Sequence, residues 1–169
     1  MALARYHLAQ ANVARMTAPL DDRVMDGFRS QLDRINAIAD RSPGFVWRLQ
    51  TDEGNATAIR AYEDPLILFN MSVWESLDTL HQYVYRSAHA GPLRDRRQWF
   101  EPQEGPILVL WWITAGHVPT VDEAQARFEM LKSRGPTHDA FTFRHPFPPP
   151  GRQTVRLPEV DAELCGWAT

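Results

Sequence analysis

Cysteine is nearly absent: Cys165 is the only one in 169 residues. No internal disulfide can form, and no thiolate zinc or iron–sulfur site fits within one chain. Lysine is as scarce, with Lys132 alone among 18 basic residues, so Schiff-base chemistry would fall on one side chain of an exposed helix face. No apolar run approaches the thickness of a bilayer. The longest, Ile107 to Ile113, suits a buried strand, so no membrane partner is expected. The start, Met-Ala-Leu-Ala-Arg-Tyr-His, lacks a basic segment followed by an apolar one, which makes a cytoplasmic protein the expectation. A net charge of −3 gives no field for nucleic acid. Arg94-Asp95-Arg96-Arg97 with Trp99 reads as a solvated or ion-paired helix face, not a nucleic-acid site. There is no Gly-rich phosphate loop and no GxSxG. The 6 histidines (His7, His81, His89, His117, His138, His145) show no HxH, HxxE or HExxH spacing, so no metal is expected.

Hydrophobic residues at 44% and aromatics at 11% give a chain that buries a real core. Tyr6 to Arg15 reads as a strand. After Pro19, Asp21 or Asp22 can cap a helix whose apolar stripe is Val24, Phe28, Leu32, Ile35 and Ala39. Phe45 to Gln50 alternates, with Phe45, Trp47 and Leu49 on one face and Val46, Arg48 and Gln50 on the other. Leu66 to Trp74 is a strand with Asn70 and Ser72 embedded in it. Leu77, Leu80, Val84 and Ala88 mark a second helix, and Leu93 to Phe100 a further Arg-rich helical piece. Ile107 to Ile113 is apolar on both sides. Thr120-Val-Asp-Glu123 fits a capping box opening a third helix, and Ala140 to Arg144 can pair at an edge.

The order β-α-β-β-α-β, followed by an added helix, predicts an α+β, ferredoxin-like split βαβ fold: an antiparallel sheet with helices on one face. The doubly apolar strand Ile107–Ile113 calls for cover on the second face, so the sheets of two chains are expected to pair as a homodimeric α/β barrel. The domain is expected to span 1–145. The Pro-rich tail, 146–169, is expected to be extended and to reach across the dimer interface.

Several polar side chains fall where burial would be costly. Gln10 and Asn12 are two apart on one strand and share a face, either in a structural network or as donors to a ligand oxygen. Tyr85, Arg86 and His89 fall within one helical turn, so His89 can act as a base, ligate iron, or simply close a helix end. Arg48 and Asn70 sit mid-strand, where Arg48 either pairs with a carboxylate or meets an anionic ligand. Trp112 is among the tryptophans that could wall an aromatic-ligand pocket.

The segments HLAQANVAR, INAIADRSPGFVWRLQ, SVWESLDTLHQYVYRSAHAGPLRDRRQWFEP and FTFRHPFPPP resemble the bacterial domain-of-unknown-function family commonly numbered 3291, over residues 5–150. That family is grouped with dimeric α/β-barrel proteins, which include cofactor-free antibiotic-biosynthesis monooxygenases and haem-degrading monooxygenases. The resemblance implies the fold above. It also implies a monooxygenase-like enzyme without a bound cofactor, acting on a small aromatic or polyketide-like molecule. In that scheme His89 or Tyr85 takes a proton, Gln10 and Asn12 stabilise the anion, and Arg48, Asn70 and Trp112 help bind the small-molecule ligand. The string from Trp74 to His89 also resembles haem-degrading members, whose matching His binds iron and whose first-strand Asn matches Asn12. Their Trp about ten residues before the His is Thr79 here. Haem held by His89 is therefore one alternative, and a non-enzymatic binding module is another.

Overall fold

The computed structural model describes residues 5–89 and 96–153, with the side chains of 87–89 outside that description. In chain order the elements are β1 (Tyr6–Met16), α1 (Asp26–Arg29), α2 (Leu32–Asp40), β2 (Phe45–Arg48), β3 (Ile67–Trp74), α3 (Leu77–His89), β4 (Phe100–Glu101), β5 (Leu108–Thr114) and α4 (Val121–Arg134). The fold is α+β with an antiparallel sheet, as the sequence predicts. β1 lies between β3 on one side and β5 and β4 on the other. β5 pairs Tyr6 to Asn12, and the two-residue β4 pairs only Arg15 and Met16. Residues read as helical thus supply a strand at Phe100.

Alternation along β1 sorts the core. Leu8 packs with Trp74 and Leu110 under Ala39, Leu77 and Leu80, from α2 and α3. Ala9 and Ala11 pack with Val109, Trp111 and Ile113 under Ala124, Phe128 and Leu131 of α4. The two helices of the split βαβ therefore share one face, and the added helix covers the other. The expectation that only a second sheet could cover that face is corrected: α4 does so within the chain.

Three local readings change for physical reasons. The helix expected from Asp22 to Ala39 breaks into a 3-10 turn, α1 and α2. Asp22 caps the turn through Val24 N at 2.9 Å, which leaves Val24 exposed instead of in the stripe. A bulge between Phe45 and Trp47 switches the alternation of β2. Phe45 packs in the α2/α3 core and Trp47 in the α4 core, so they do not share a face. The start of the expected tail packs on its own chain, with the Phe147 ring 5.9 Å from Phe141 and 4.5 Å from His138. Residues beyond 153 lie outside the described residues.

The capping box at α4 forms only its first half. Thr120 Oγ1 accepts from Glu123 N at 3.2 Å. The Glu123 carboxylate instead accepts from Trp111 Nε1 at 2.9 Å and pairs with His117 Nε2 at 2.8 Å. Burial pushes the Glu123 carboxyl up. The hydrogen bonds from His117 and Trp111, with the positive charges of His117 and Arg127, outweigh burial and hold it below 4.5. A carboxyl lowered on folding stabilises above its unfolded value, and that contribution is lost as pH falls through the folded value. The melting temperature of the wild type should therefore exceed that of Glu123→Gln at neutral pH, and the gap should close as pH drops below 4.5. A gap that stays constant down to acid pH would show that the carboxylate charge contributes nothing.

Candidate functional site

The β1–β3 register places two polar pairs side by side on the face covered by α1, α2 and α3. In the first, Gln10 stands opposite Ser72, and both are buried. Gln10 Nε2 donates to Ser72 Oγ at 3.0 Å, and Trp74 Nε1 donates to the same oxygen at 2.8 Å. This pair is satisfied inside the fold. In the second, Asn12 stands opposite Asn70, both half-buried. Neither amide has a hydrogen-bond partner among the described residues.

Asn12 and Asn70 instead line a cavity of about 60 Å³, walled by Phe28 of α1, Leu32 and Ile35 of α2, Leu68, Phe100 and the turn at Asn55–Thr57. Asn36 and Asn55 line it too. Asn55 Oδ1 is committed, accepting from Thr57 N at 3.0 Å and Thr57 Oγ1 at 2.6 Å. Asn36 Nδ2 reaches Gly54 O only at 3.5 Å, the limit of a hydrogen bond. The space holds one or two small atoms' worth of ligand, such as a carbonyl or phenol oxygen or a dioxygen molecule, but not a ring system.

A larger cavity of about 650 Å³ shares Asn12, Ala14 and Phe100 with it. It opens where β1 changes partner, because β5 pairs it up to Asn12 and β4 only from Arg15. That volume suits a drug-sized molecule. Arg96, Arg97, Glu101 and Gln103 supply its polar lining.

The remaining predicted residues are placed differently. Arg48, turned to the helix-covered face by the β2 bulge, binds Asp40 through Nε at 2.7 Å and Nη2 at 3.3 Å, and Gly54 O through Nη1 at 2.7 Å. Trp112 Nε1 donates to Phe147 O at 2.8 Å. Tyr85 is 49% exposed. The His89 side chain lies outside the described residues. Of Gln10, Asn12, Tyr85, Arg48, Asn70 and Trp112, only Asn12 and Asn70 line either of these cavities. Tyr83, two residues before Tyr85, is a core group: its ring stacks on Trp74 at 4.8 Å. Burial pushes its phenol up to about 12 despite Arg48, so it stays protonated at neutral pH.

Among the described residues neither lining holds a His, Cys, Met or Tyr that could ligate haem iron, and the His89 side chain lies outside them. Thr79, at the position of the haem enzymes' Trp, is locked to Ser76 by a reciprocal cap at 3.2 Å. Asn36 and Asn55 were missed by sequence reasoning. One follows a core Ile in a helix, the other sits in an ordinary turn, and only the packing of both against β1 and β3 makes them neighbours.

A family model described as a domain of unknown function, DUF3291, matches residues 7–157. No curated protein matches the chain. Among solved structures, a mutant of SnoaB, a cofactor-independent oxygenase from Streptomyces nogalater, is 16% identical, covers 68% of this chain and 97% of its own, and superposes with a TM-score of 0.42. A second SnoaB structure is 17% identical, with 66% and 95% covered and a TM-score of 0.40.

Proposed function

The chain belongs to the DUF3291 family, and from that premise we propose that it is a homodimeric, monooxygenase-like enzyme that oxidises a small aromatic or polyketide-like molecule without a bound cofactor. The observation that carries the reading is the Asn12–Asn70 pair: two adjacent amides, half-buried, unpartnered among the described residues, and directed at a cavity. Both amides are only half-buried, so water can satisfy them in the free protein, and a ligand oxygen that displaces that water finds two donors already in place. Two Nδ2 donors side by side are suited to an enolate or phenolate oxygen, where charge develops as the substrate ionises.

In this scheme the substrate is a carbon acid flanked by a carbonyl or phenol. Its anion is held by Asn12 and Asn70, with Asn36 and Asn55 bordering the same space. The carbanion gives its electrons to dioxygen, forming a C–O bond and a peroxide. Loss of water then leaves a new carbonyl, so CH2 and O2 become C=O and H2O. His89, whose side chain lies outside the described residues, takes the substrate proton in the fuller form of the scheme, whereas Tyr85 lines neither cavity. The one acid among the described lining residues, Glu101, is held by Arg15 Nε at 3.3 Å, which favours substrates acidic enough to need little help.

The expected result with a carbon acid such as anthrone is oxygen uptake equal to substrate consumed, with one atom from labelled dioxygen in the product by mass spectrometry. Uptake no faster than in buffer, for a panel of such carbon acids, overturns the enzyme reading. A saturable shift in melting temperature without turnover would instead favour a binding module, which the lack of a free acid or base among the described lining residues also supports. Light scattering at micromolar concentration should give twice the chain mass, and a monomer removes the dimer.

A further inference from the structure

We propose that the larger cavity is a carboxylate site: Arg96 and Arg97 hold the anionic end of a flat, apolar monoanion. The opposite end of that ligand reaches the Asn12–Asn70 pair, and this second clause alone rests on the function proposed above.

Both arginines line the cavity, Arg96 half-buried and Arg97 beside it in the turn Arg96–Gln98. Neither is paired with a carboxylate among the described residues. Arg15, Arg29, Arg48 and Arg127 have acidic partners, and among the described arginines without one Arg96 alone is half-buried, the others, Arg97 included, being exposed. The half-buried Arg96 guanidinium has no carboxylate bonded to it among the described residues, and an incoming anion would supply one. Burial and the Arg97 charge also pull the Arg96 pKa down, in the sense expected of a cation lacking its counter-ion.

The rest of the lining narrows the ligand. Val13, Ala14, Phe100 and Ile107 give an apolar floor, which suits a ring system and not a free inorganic anion. Glu101 lines the same space but is held by Arg15, which leaves the two guanidinium groups to meet the ligand, and a planar carboxylate matches a guanidinium fork. Asn12, Ala14 and Phe100 are common to both cavities. A ligand anchored at the arginines therefore extends toward the amides. The substrate class is an aromatic carboxylic acid bearing a phenol or activated carbon at its far end.

The test uses 6-hydroxy-2-naphthoate and its neutral analogue 6-hydroxy-2-naphthamide as probes, with binding read by probe fluorescence. The wild type should bind the carboxylate at least ~10-fold more tightly than the amide. The Arg96→Gln/Arg97→Gln double variant should lose that ~10-fold preference while keeping its melting temperature, because no ion pair among the described residues is broken. Equal binding of the two probes by the wild type overturns the proposal, as does no binding of either, and so does full retention of the preference in the double variant. The wild-type comparison decides the matter even if the double variant fails to fold. An Asn12→Leu arm separates the two readings. A preference lost with the arginines but binding indifferent to Asn12 leaves the carboxylate site standing and removes the role of the amides. Binding sensitive to Asn12 and indifferent to the arginines overturns the carboxylate site and leaves the amides.

Discussion

Replacing Asn12 and Asn70 together with Leu should leave the protein folded and strip it of activity. The amides have no partner among the described residues, so their loss orphans nothing, and two buried methyl-bearing side chains add apolar contact. The melting temperature should stay within a few degrees of the wild type or rise. Removing one donor to a developing oxyanion costs about 10²–10³ in kcat, so each single variant should fall by about that factor. Gln10→Leu, two residues away on the same face of β1, should do the opposite. It takes a buried donor from Ser72 Oγ, at a cost of about 1–3 kcal/mol in stability, while each folded molecule keeps its turnover. Calorimetry and oxygen uptake on the same preparations read both quantities. A large fall in melting temperature for the Asn12 and Asn70 variants, with activity intact in what remains folded, would make these amides structural.

Gly44→Ala should be among the most damaging single substitutions in the chain. Gly44 joins α2 to β2 at φ +79, a conformation that costs any other residue about 1 kcal/mol. A Cβ there would lie 2.5 Å from Thr79 Cβ and 2.6 Å from Thr79 Oγ1. Thr79 cannot swing aside cheaply. Its N–H donates to Ser76 Oγ and its Oγ1 accepts from Ser76 N, both at 3.2 Å, closing the first turn of α3. Gly44 O also accepts from Glu75 N at 2.8 Å, so the backbone is held from the other side. Strain and overlap together should cost about 3 kcal/mol. Gly54→Ala, at φ +82 with open space around it, isolates the strain alone at about 1 kcal/mol. Urea denaturation of the two variants gives the comparison. Equal losses would show that Thr79 yields and that the close approach is not a constraint.

Much of this was readable in the residues. Short apolar runs bounded by turn residues mark β1, β3 and β5, because a strand buried on both faces needs no alternation. Thr120 gave the start of α4, because a cap is local. Asn12 and Asn70 each stood out as amides inside otherwise apolar strands. Their meeting was not readable, since it depends on a β1–β3 register set by pairing across more than fifty residues. The face swap in β2 turns on one bulged residue near Val46, which alternation counting passes over and which sends Arg48 to Asp40. The break near Ser30 was hidden because Phe28, Leu32, Ile35 and Ala39 keep helical spacing across it. The stripe Ala124, Phe128 and Leu131 shows that α4 packs on something, but which face of the sheet it covers is set by tertiary packing on Val109, Trp111 and Ile113 and not by the helix's own sequence. Grouping Gln10 with Asn12 was right about their shared face and silent on Ser72, which satisfies one and leaves the other to the cavity.

The central claim is that the Asn12 and Asn70 amides are kept for a ligand's oxygen. A crystal structure of the protein with 6-hydroxy-2-naphthoate tests it most directly. The account predicts the phenol oxygen about 2.7–3.1 Å from Nδ2 of both Asn12 and Asn70, with the protein otherwise unmoved. Phenol oxygen bound elsewhere, with the two amides bonded to each other or to backbone carbonyls, would contradict it.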